Sequence, residues 1–335
     1  IKNYNYSKMK TIGVIGGGSW GTALVSLLAN EPSKTYWFVR TQQHIDNIIE
    51  EKRNKKYLPN CFIDPSKLVL TTSINELINA SDVLIVATPA EFLLNNFKNI
   101  REEDLIGKTV VSATKGVVPQ KNLTPYRFFQ EIYEDVDYGV ISGPCHAEEI
   151  AMSRRSYLTF SAHNEKVSTH IISLLTNDFV SVKKSNDVFG TELSAILKNI
   201  YALLVGVCHG LGYGDNFLSV LISSSASELG NIIYSIDPKE RKISDSAYLG
   251  DLLVTCYSLH SRNRKFGNYI GRGYSVKNTK ESMNMVAEGY NATKCIHELL
   301  GDKVEKYPIL KTTYNILYKN NSPKKQISTL ENTIS

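Results

Sequence analysis

The stretch from Lys10 to Leu24, KTIGVIGGGSWGTAL, constrains the fold more than any other part of the chain. A short apolar run, Ile12 to Ile15, leads into Gly16, Gly18 and Gly21 at G-x-G-x-x-G spacing, and an amphipathic run from Thr22 to Asn30 follows. The first glycine allows a tight turn, the second lets backbone approach a pyrophosphate, and the third lets a helix pack closely on the strand. The start of that helix offers free N–H groups and a partial positive charge to phosphates. Strand, loop and helix stand in the order a dinucleotide site requires. The competing account is an ordinary glycine-rich turn.

The first half of the chain continues this alternation. Strands are predicted at 11–15, 36–40, 68–72, 83–87, 109–113, 138–142, 157–162 and 179–182, with helical stretches between most of the early ones. Several are continuous apolar runs, as in strands covered on both faces. The predicted fold class is α/β, a doubly wound, mainly parallel Rossmann-type sheet. From about Asp187 the pattern changes. Phe189, Leu193, Ile196, Leu197, Ile200, Leu203, Leu204 and Val207 recur at helical spacing, and 216–234, 247–259 and 290–300 also read as helices. The expected division is a dinucleotide-binding domain over 1–188 and a mostly helical substrate-binding and catalytic domain over 189–335. A cleft between domains is the default ligand site.

Composition narrows the partners. A net charge of +5 spread over 335 residues suits a small anionic ligand better than a nucleic-acid groove, which needs a denser basic stripe. The five cysteines, at 61, 145, 208, 256 and 295, form no C-x-x-C pair, which points to free thiols in a reducing, cytoplasmic compartment. The first ten residues lack an apolar core of the signal-peptide kind. Met9 is a candidate start, with residues 1–8 an extension. Apolar runs such as 83–87 and 202–208 are too short to span a bilayer, so no membrane insertion is expected.

Several residues at predicted strand ends and on helix faces carry candidate chemistry. Arg40 ends the second predicted strand where a strict NAD site would place an acid, which favours the 2′-phosphate of NADP; the alternative is a solvated strand end. Lys115 follows a buried-looking strand and can bring positive charge to a phosphate; the alternative is a surface lysine. Cys145 beside His146 resembles a nucleophile and base, but sequence neighbours seldom supply that geometry. Lys198 shares a helical face with Ser194, Ala195, Ala202 and Val205, where desolvation would bring its pKa toward the range of a general acid; the alternative is a snorkelling lysine. Asp251, Thr255, Ser258 and Arg262 fall in one stripe of a continued helix. Asp251 can hold Lys198, and Arg262 with Asn263 can take a phosphate; the alternative is a set of structural caps and a solvated basic turn. Glu288 alone is a weak signal, and a capping or surface glutamate is the readier account.

Taken together the motifs resemble the soluble, bacterial type of NAD(P)-dependent glycerol-3-phosphate dehydrogenase. The resemblance rests on GGGSWGTAL at 16–24, YLP at 57–59, ATKG at 113–116, GPCHAEE at 143–149, ELSAILKNI at 192–200, GDN at 214–216, GDLLVTC at 250–256, SRNRKFG at 261–267 and AEG at 287–289. It implies reversible reduction of dihydroxyacetone phosphate, a small phosphorylated triose, to sn-glycerol 3-phosphate, the precursor of glycerophospholipids. It also implies NAD or NADP as cofactor and a homodimer. The family's catalytic lysine falls on Lys198 and its substrate aspartate on Asp251. Further substrate contacts fall on Lys115, Gly143, Cys145, Ser261, Arg262 and Asn263. Cofactor contacts fall on Gly16, Gly18, Ser19, Trp20, Gly21, Arg40, Tyr57, Lys115, Ala147, Arg262, Val286 and Glu288. The family usually has Ser or Thr where Cys145 stands and often Phe where His146 stands, and a T-R-G segment where this chain has Ser223, Ser224 and Ser225. The rival readings are a dehydrogenase of a β-hydroxyacid or nucleotide sugar, and a regulator that binds NADPH without turning it over.

Overall fold

A computed structural model describes residues 11–29, 34–133, 136–283 and 287–334. The extension read at residues 1–8, the helix end at Asn30 and the cofactor contact read at Val286 lie outside the described residues. The chain forms two compact units. The first runs to Thr114 and resumes at Pro125–Val188; the second comprises Lys115–Thr124 and the residues from Phe189 onward.

Among the described residues, the first unit holds ten strands: β1 (Thr11–Ile15), β2 (Lys34–Phe38), β3 (Arg53–Asn54), β4 (Leu58–Phe62), β5 (Leu68–Thr71), β6 (Val83–Val86), β7 (Thr109–Ser112), β8 (Asp137–Ser142), β9 (Ser156–Ala162) and β10 (Val180–Ser185). Eight make one sheet in the order β10-β9-β8-β7-β6-β1-β2-β5. Every pairing is parallel except β8 with β9. The α/β, mainly parallel class is therefore as expected, and all eight predicted strands are present within two or three residues at their ends. β6, an uninterrupted apolar run, is buried at every position, and so is β7, whose Val110 and Val111 stand between Thr109 and Ser112. The last strand extends past its predicted end through exposed Lys183 and Lys184, charges suited to a sheet edge. The small antiparallel pair β3–β4 was not predicted. Two residues of β3 are too few to show an alternating pattern, and the turn into it starts at Lys52 in the left-handed region, φ 51°.

From β1 the chain proceeds to β2 and β5 on one side of the sheet, and later to β6, β7 and β8 on the other. Strand order thus reverses at β1. In open α/β sheets ligands collect beyond the carboxyl ends of the strands at such a point, and that is where Gly16 follows Ile15.

The second unit is helical and is built around the helix Val188–Gly210, whose residues 191–208 are all buried. This helix is long and apolar enough to cross a membrane, which corrects the expectation that no apolar segment reaches that length. The sequence count stopped at polar interruptions such as Lys198 and Asn199, whereas the helix carries them inside. Its apolar composition serves a protein core. The helix Arg262–Gly271 crosses it at backbone contact. A Cβ on Gly206 would lie 2.1 Å from the Arg264 carbonyl oxygen, and one on Gly267 1.8 Å from that of Leu203. Gly210 and Gly271 repeat the arrangement one turn on. Reciprocal glycines four residues apart let the two axes approach, and the approach carries the Arg262 turn onto the helix that bears Lys198.

One buried carboxylate ties this unit together. Glu228, on the helix Asp215–Ile236, accepts from the backbone N–H of Ile309 and of Leu310, both at 2.9 Å. These are orphan donors at the start of the helix Pro308–Tyr318, whose N-cap Tyr307 supplies no side-chain acceptor. Burial pushes the Glu228 carboxyl from 4.5 up to about 7, against those two hydrogen bonds. The folded state then binds the proton more tightly than the unfolded state, so this group's contribution to stability falls as pH rises from about 4.5 to about 7. The wild type should lose up to about 3 kcal/mol across that window relative to Glu228→Gln, since a pKa unit is worth about 1.4 kcal/mol. Denaturant melts of both proteins at a series of pH values measure it. Parallel curves would exclude the assignment.

Candidate active site

In the first unit the glycine loop is closed from inside. Gly16 has φ +137°, and a Cβ there would meet the Ala87 carbonyl oxygen at 2.8 Å, at the end of β6. A Cβ on Gly21 would lie 2.0 Å from the Gly16 oxygen, so helix and loop touch backbone to backbone. Beside Gly18, in contrast, a Cβ would meet nothing within 4 Å. Gly18 is also the N-cap of the helix Ser19–Leu28 and gives it no side-chain acceptor. An open face at an uncapped helix start, with no side chain in the way, fits the phosphates of a dinucleotide.

Three successive carbonyls of the loop accept side-chain hydrogen bonds. The buried Trp37 indole donates to Gly16 O at 2.9 Å, Asn54 Nδ2 to Gly17 O at 2.9 Å, and Thr22 Oγ1 to Gly18 O at 2.8 Å. Ser19 Oγ donates to Tyr57 O at 2.8 Å, so its hydrogen is committed and its backbone N–H is what it offers a phosphate. Trp20 is half-buried. Arg40 is exposed two residues beyond the end of β2, just before Thr41 caps the next helix. At the end of β8, Gly143 has φ +111°, and a Cβ there would lie 2.7 Å from the Tyr157 oxygen. Cys145 is buried, and its thiol donates to Gly143 O at 3.2 Å. His146 is the N-cap of the short helix Ala147–Ala151.

In the second unit Lys198 and Asp251 form an ion pair, with side chains only 4% and 1% exposed. Desolvation disfavours both charges, and their mutual attraction opposes it. Asp251 opens the helix Asp251–Tyr257 directly after a π-helical turn, Ser246–Gly250, an irregularity often found at functional sites. Thr255 Oγ1 donates to the Asp251 carbonyl at 2.6 Å, and Ser194 Oγ to the Ala247 carbonyl at 3.2 Å. The polar stripe expected to run from Asp251 to Arg262 on one helix is corrected. The first helix stops at Ser258, which is extended, and Ser261 caps a second helix by accepting from the Arg264 N–H at 3.3 Å. Arg262 and Asn263 are the first two residues of that second helix. Arg264 Nη1 reaches back to the Tyr257 carbonyl at 2.8 Å and braces the break.

A chain of buried amides joins four of the motif segments. Asn199 Nδ2 donates to the Lys115 carbonyl at 2.7 Å. Asn263 Nδ2 donates to Asn199 Oδ1 at 2.8 Å, and the Gly289 N–H donates to Asn263 Oδ1 at 2.9 Å. A carbonyl ends the chain on one side and an N–H on the other, so both amide orientations are fixed. Sequence reasoning did not single out Asn199; its adjacency to Lys198 in the segment at 192–200 was the available signal. Glu288 starts the helix Glu288–Leu300, beside this chain.

The model of the NAD-dependent glycerol-3-phosphate dehydrogenase N-terminus matches residues 11–168, and that of the C-terminus matches residues 187–328. The chain belongs to this family. A glycerol-3-phosphate dehydrogenase (NAD(P)+) of Bacillus pumilus is 34% identical over 319 residues, 93% of this chain and 91% of that protein. The corresponding protein of Oceanobacillus iheyensis is 32% identical over 329 residues, 97% of this chain and 94% of that protein. A crystal structure of glycerol-3-phosphate dehydrogenase from Coxiella burnetii superposes with TM-score 0.88 at 26% identity, covering 96% of this chain and 98% of that one. Within the glycerol-3-phosphate dehydrogenase family, the cluster just described in the second unit lies wholly inside the C-terminal match, apart from Lys115.

Proposed function

We propose that this chain catalyses the reversible reduction of dihydroxyacetone phosphate to sn-glycerol 3-phosphate with NADH or NADPH. The observation that carries the reading is the buried Lys198–Asp251 ion pair in the unit that matches the family's C-terminal model. The first unit binds the dinucleotide through Gly16, Gly18, Ser19, Trp20, Gly21, Arg40, Tyr57 and Ala147, and Glu288, in the second unit's AEG segment, is a further candidate cofactor contact. When bound, the dinucleotide supplies the hydride that reaches the ketone carbon.

Lys198 holds an ammonium proton for the ketone oxygen. As negative charge develops there, Nζ gives up the proton and is left a neutral amine, which solvent reprotonates. In the oxidative direction the amine takes the proton back. Asp251 orients Nζ and favours its charged form. Arg262 presents a guanidinium fork suited to phosphate, and Lys115 adds a point charge. Ser261, Gly143 and Cys145 complete the substrate contacts, and Asn263 retains one amide hydrogen for them. The phosphate is remote from the reacting carbon, so its binding energy is spent on orienting the ketone. We further place the enzyme in the cytoplasm, as a homodimer that supplies glycerophospholipid synthesis.

The test follows loss of nicotinamide absorbance with purified protein, using dihydroxyacetone phosphate and dihydroxyacetone in parallel. The phosphorylated ketone should be preferred by roughly 10³-fold or more in kcat/KM, because a phosphate clamp left empty forfeits its charge-assisted bonds. Equal rates, or no oxidation with the phosphate ester, would defeat the reading.

A further inference from the structure

The glycine loop has a support that none of the motifs assigns. Asn54 is buried in the strand β3, outside the glycine motif and three residues before Tyr57. Its Nδ2 donates twice, to Gly17 O at 2.9 Å and to Thr22 Oγ1 at 2.8 Å. Its Oδ1 lies 2.9 Å from His44 Nε2. Every proton in this cluster can be placed by elimination. Gly17 O and Gly18 O are obligate acceptors. Thr22 therefore spends its one hydrogen on Gly18 O and accepts from Asn54. Asn54 spends both amide hydrogens on Gly17 and Thr22, so Oδ1 must face His44, and His44 carries its proton on Nε2. The chain runs one way, from His44 through Asn54 to the loop.

This direction bears on the cofactor. A trans peptide unit points its N–H opposite to its C=O, and there are no cis bonds among the described residues. Carbonyls of Gly16, Gly17 and Gly18 drawn inward by Trp37, Asn54 and Thr22 turn the N–H groups of Gly17, Gly18 and Ser19 the other way. Beside Gly18 itself a Cβ would meet nothing within 4 Å, so no side chain covers the loop there. The same hairpin also holds the helix start, because Tyr57, whose N–H donates to Asn54 O at 3.2 Å, accepts from Ser19 Oγ.

We propose that Asn54 is a positioning residue for dinucleotide binding, and that His44 supports it by donating to its amide oxygen. The chain His44–Asn54–Gly17 holds the loop amides ready for the phosphates before the cofactor arrives. The role rests on the proposed dehydrogenase activity but is tested separately from it. Cofactor binding is read by quenching of NADH and NADPH fluorescence on the full chain, with steady-state kinetics beside it.

Asn54→Asp replaces the double donor with acceptors and should weaken both cofactors alike, by about tenfold or more, the equivalent of one lost hydrogen bond. The rise should appear in the KM for cofactor, with kcat at saturation and the KM for dihydroxyacetone phosphate within about twofold, the span expected when only ground-state binding is lost. His44, half-exposed, gives a second arm that does not depend on Asn54→Asp folding. His44→Gln retains a donor and should bind as wild type does, whereas His44→Glu presents only acceptors and should weaken binding. If wild type binds neither cofactor, the dehydrogenase reading itself falls. If wild type binds and both Asn54→Asp and His44→Glu match it, the positioning role alone is overturned. A fall in kcat without a change in cofactor affinity also overturns it.

Discussion

Replacing Lys198 with methionine is expected to lower kcat by about 10²–10⁴-fold while leaving cofactor binding intact, the range for loss of a positioned proton donor. It should also destabilise the protein by about 3–5 kcal/mol, because the buried Asp251 loses its cationic partner. The two effects have different origins and come apart in a second variant. Lys198→Met combined with Asp251→Leu removes both charges and their desolvation cost, so stability should return to near that of the wild type. Turnover should not return, since no donor has been restored. Denaturant unfolding and steady-state rates on the two variants and the wild type measure both quantities. A Lys198→Met enzyme that binds cofactor and keeps near-normal turnover removes the lysine from the mechanism. A double variant that recovers activity would show that the pair serves packing alone.

The strands around the cofactor loop were legible because their apolar runs are set off by Gly, Pro or a polar residue, as at Val83–Val86 before Ala87-Thr88-Pro89. What sequence could not show is closure between distant segments. Lys198 and Asp251 are 53 positions apart, and helical projection places each on a face without saying which faces meet. The break at Ser258 was missed because the polar spacing from Asp251 to Arg262 satisfies one helix as well as two. Ser261 followed three residues later by Arg264 lacks the acidic partner that marks a capping box. The reciprocal glycines Gly206, Gly210, Gly267 and Gly271 were present as two G-x-x-x-G pairs, but a pair on one helix has no meaning until the other is beside it. Asn54, Asn199 and Glu228 escaped for a common reason. Each is a polar residue whose work is to satisfy backbone groups far away in sequence, and periodicity carries no trace of such partners.

The amide chain in the second unit makes the other large prediction. Asn263→Asp keeps the acceptor for the Gly289 N–H but turns a carboxylate oxygen toward Asn199 Oδ1. Asn199 cannot relieve the clash by rotating its amide, since its own oxygen would then face the Lys115 carbonyl. The conflict can move along the chain but cannot leave it, and both side-chain amides are buried. Destabilisation of about 3 kcal/mol is expected, the scale of a buried polar or charged group without its partner. In a unit of this size that corresponds to a fall in Tm of roughly 6–12 °C. Gly289→Ala attacks the same junction without charge, as its Cβ would lie 2.4 Å from Asn199 O and 3.0 Å from Asn263 Oδ1. Because one chain transmits both insults, the double variant should lose less than the sum of the two single losses, by about 0.5 kcal/mol or more. Additive losses would mean that Asn263 and Gly289 act independently. In that case Lys198 and Arg262 would be set by their own helices, and Lys115 by its loop, and not by a shared polar core.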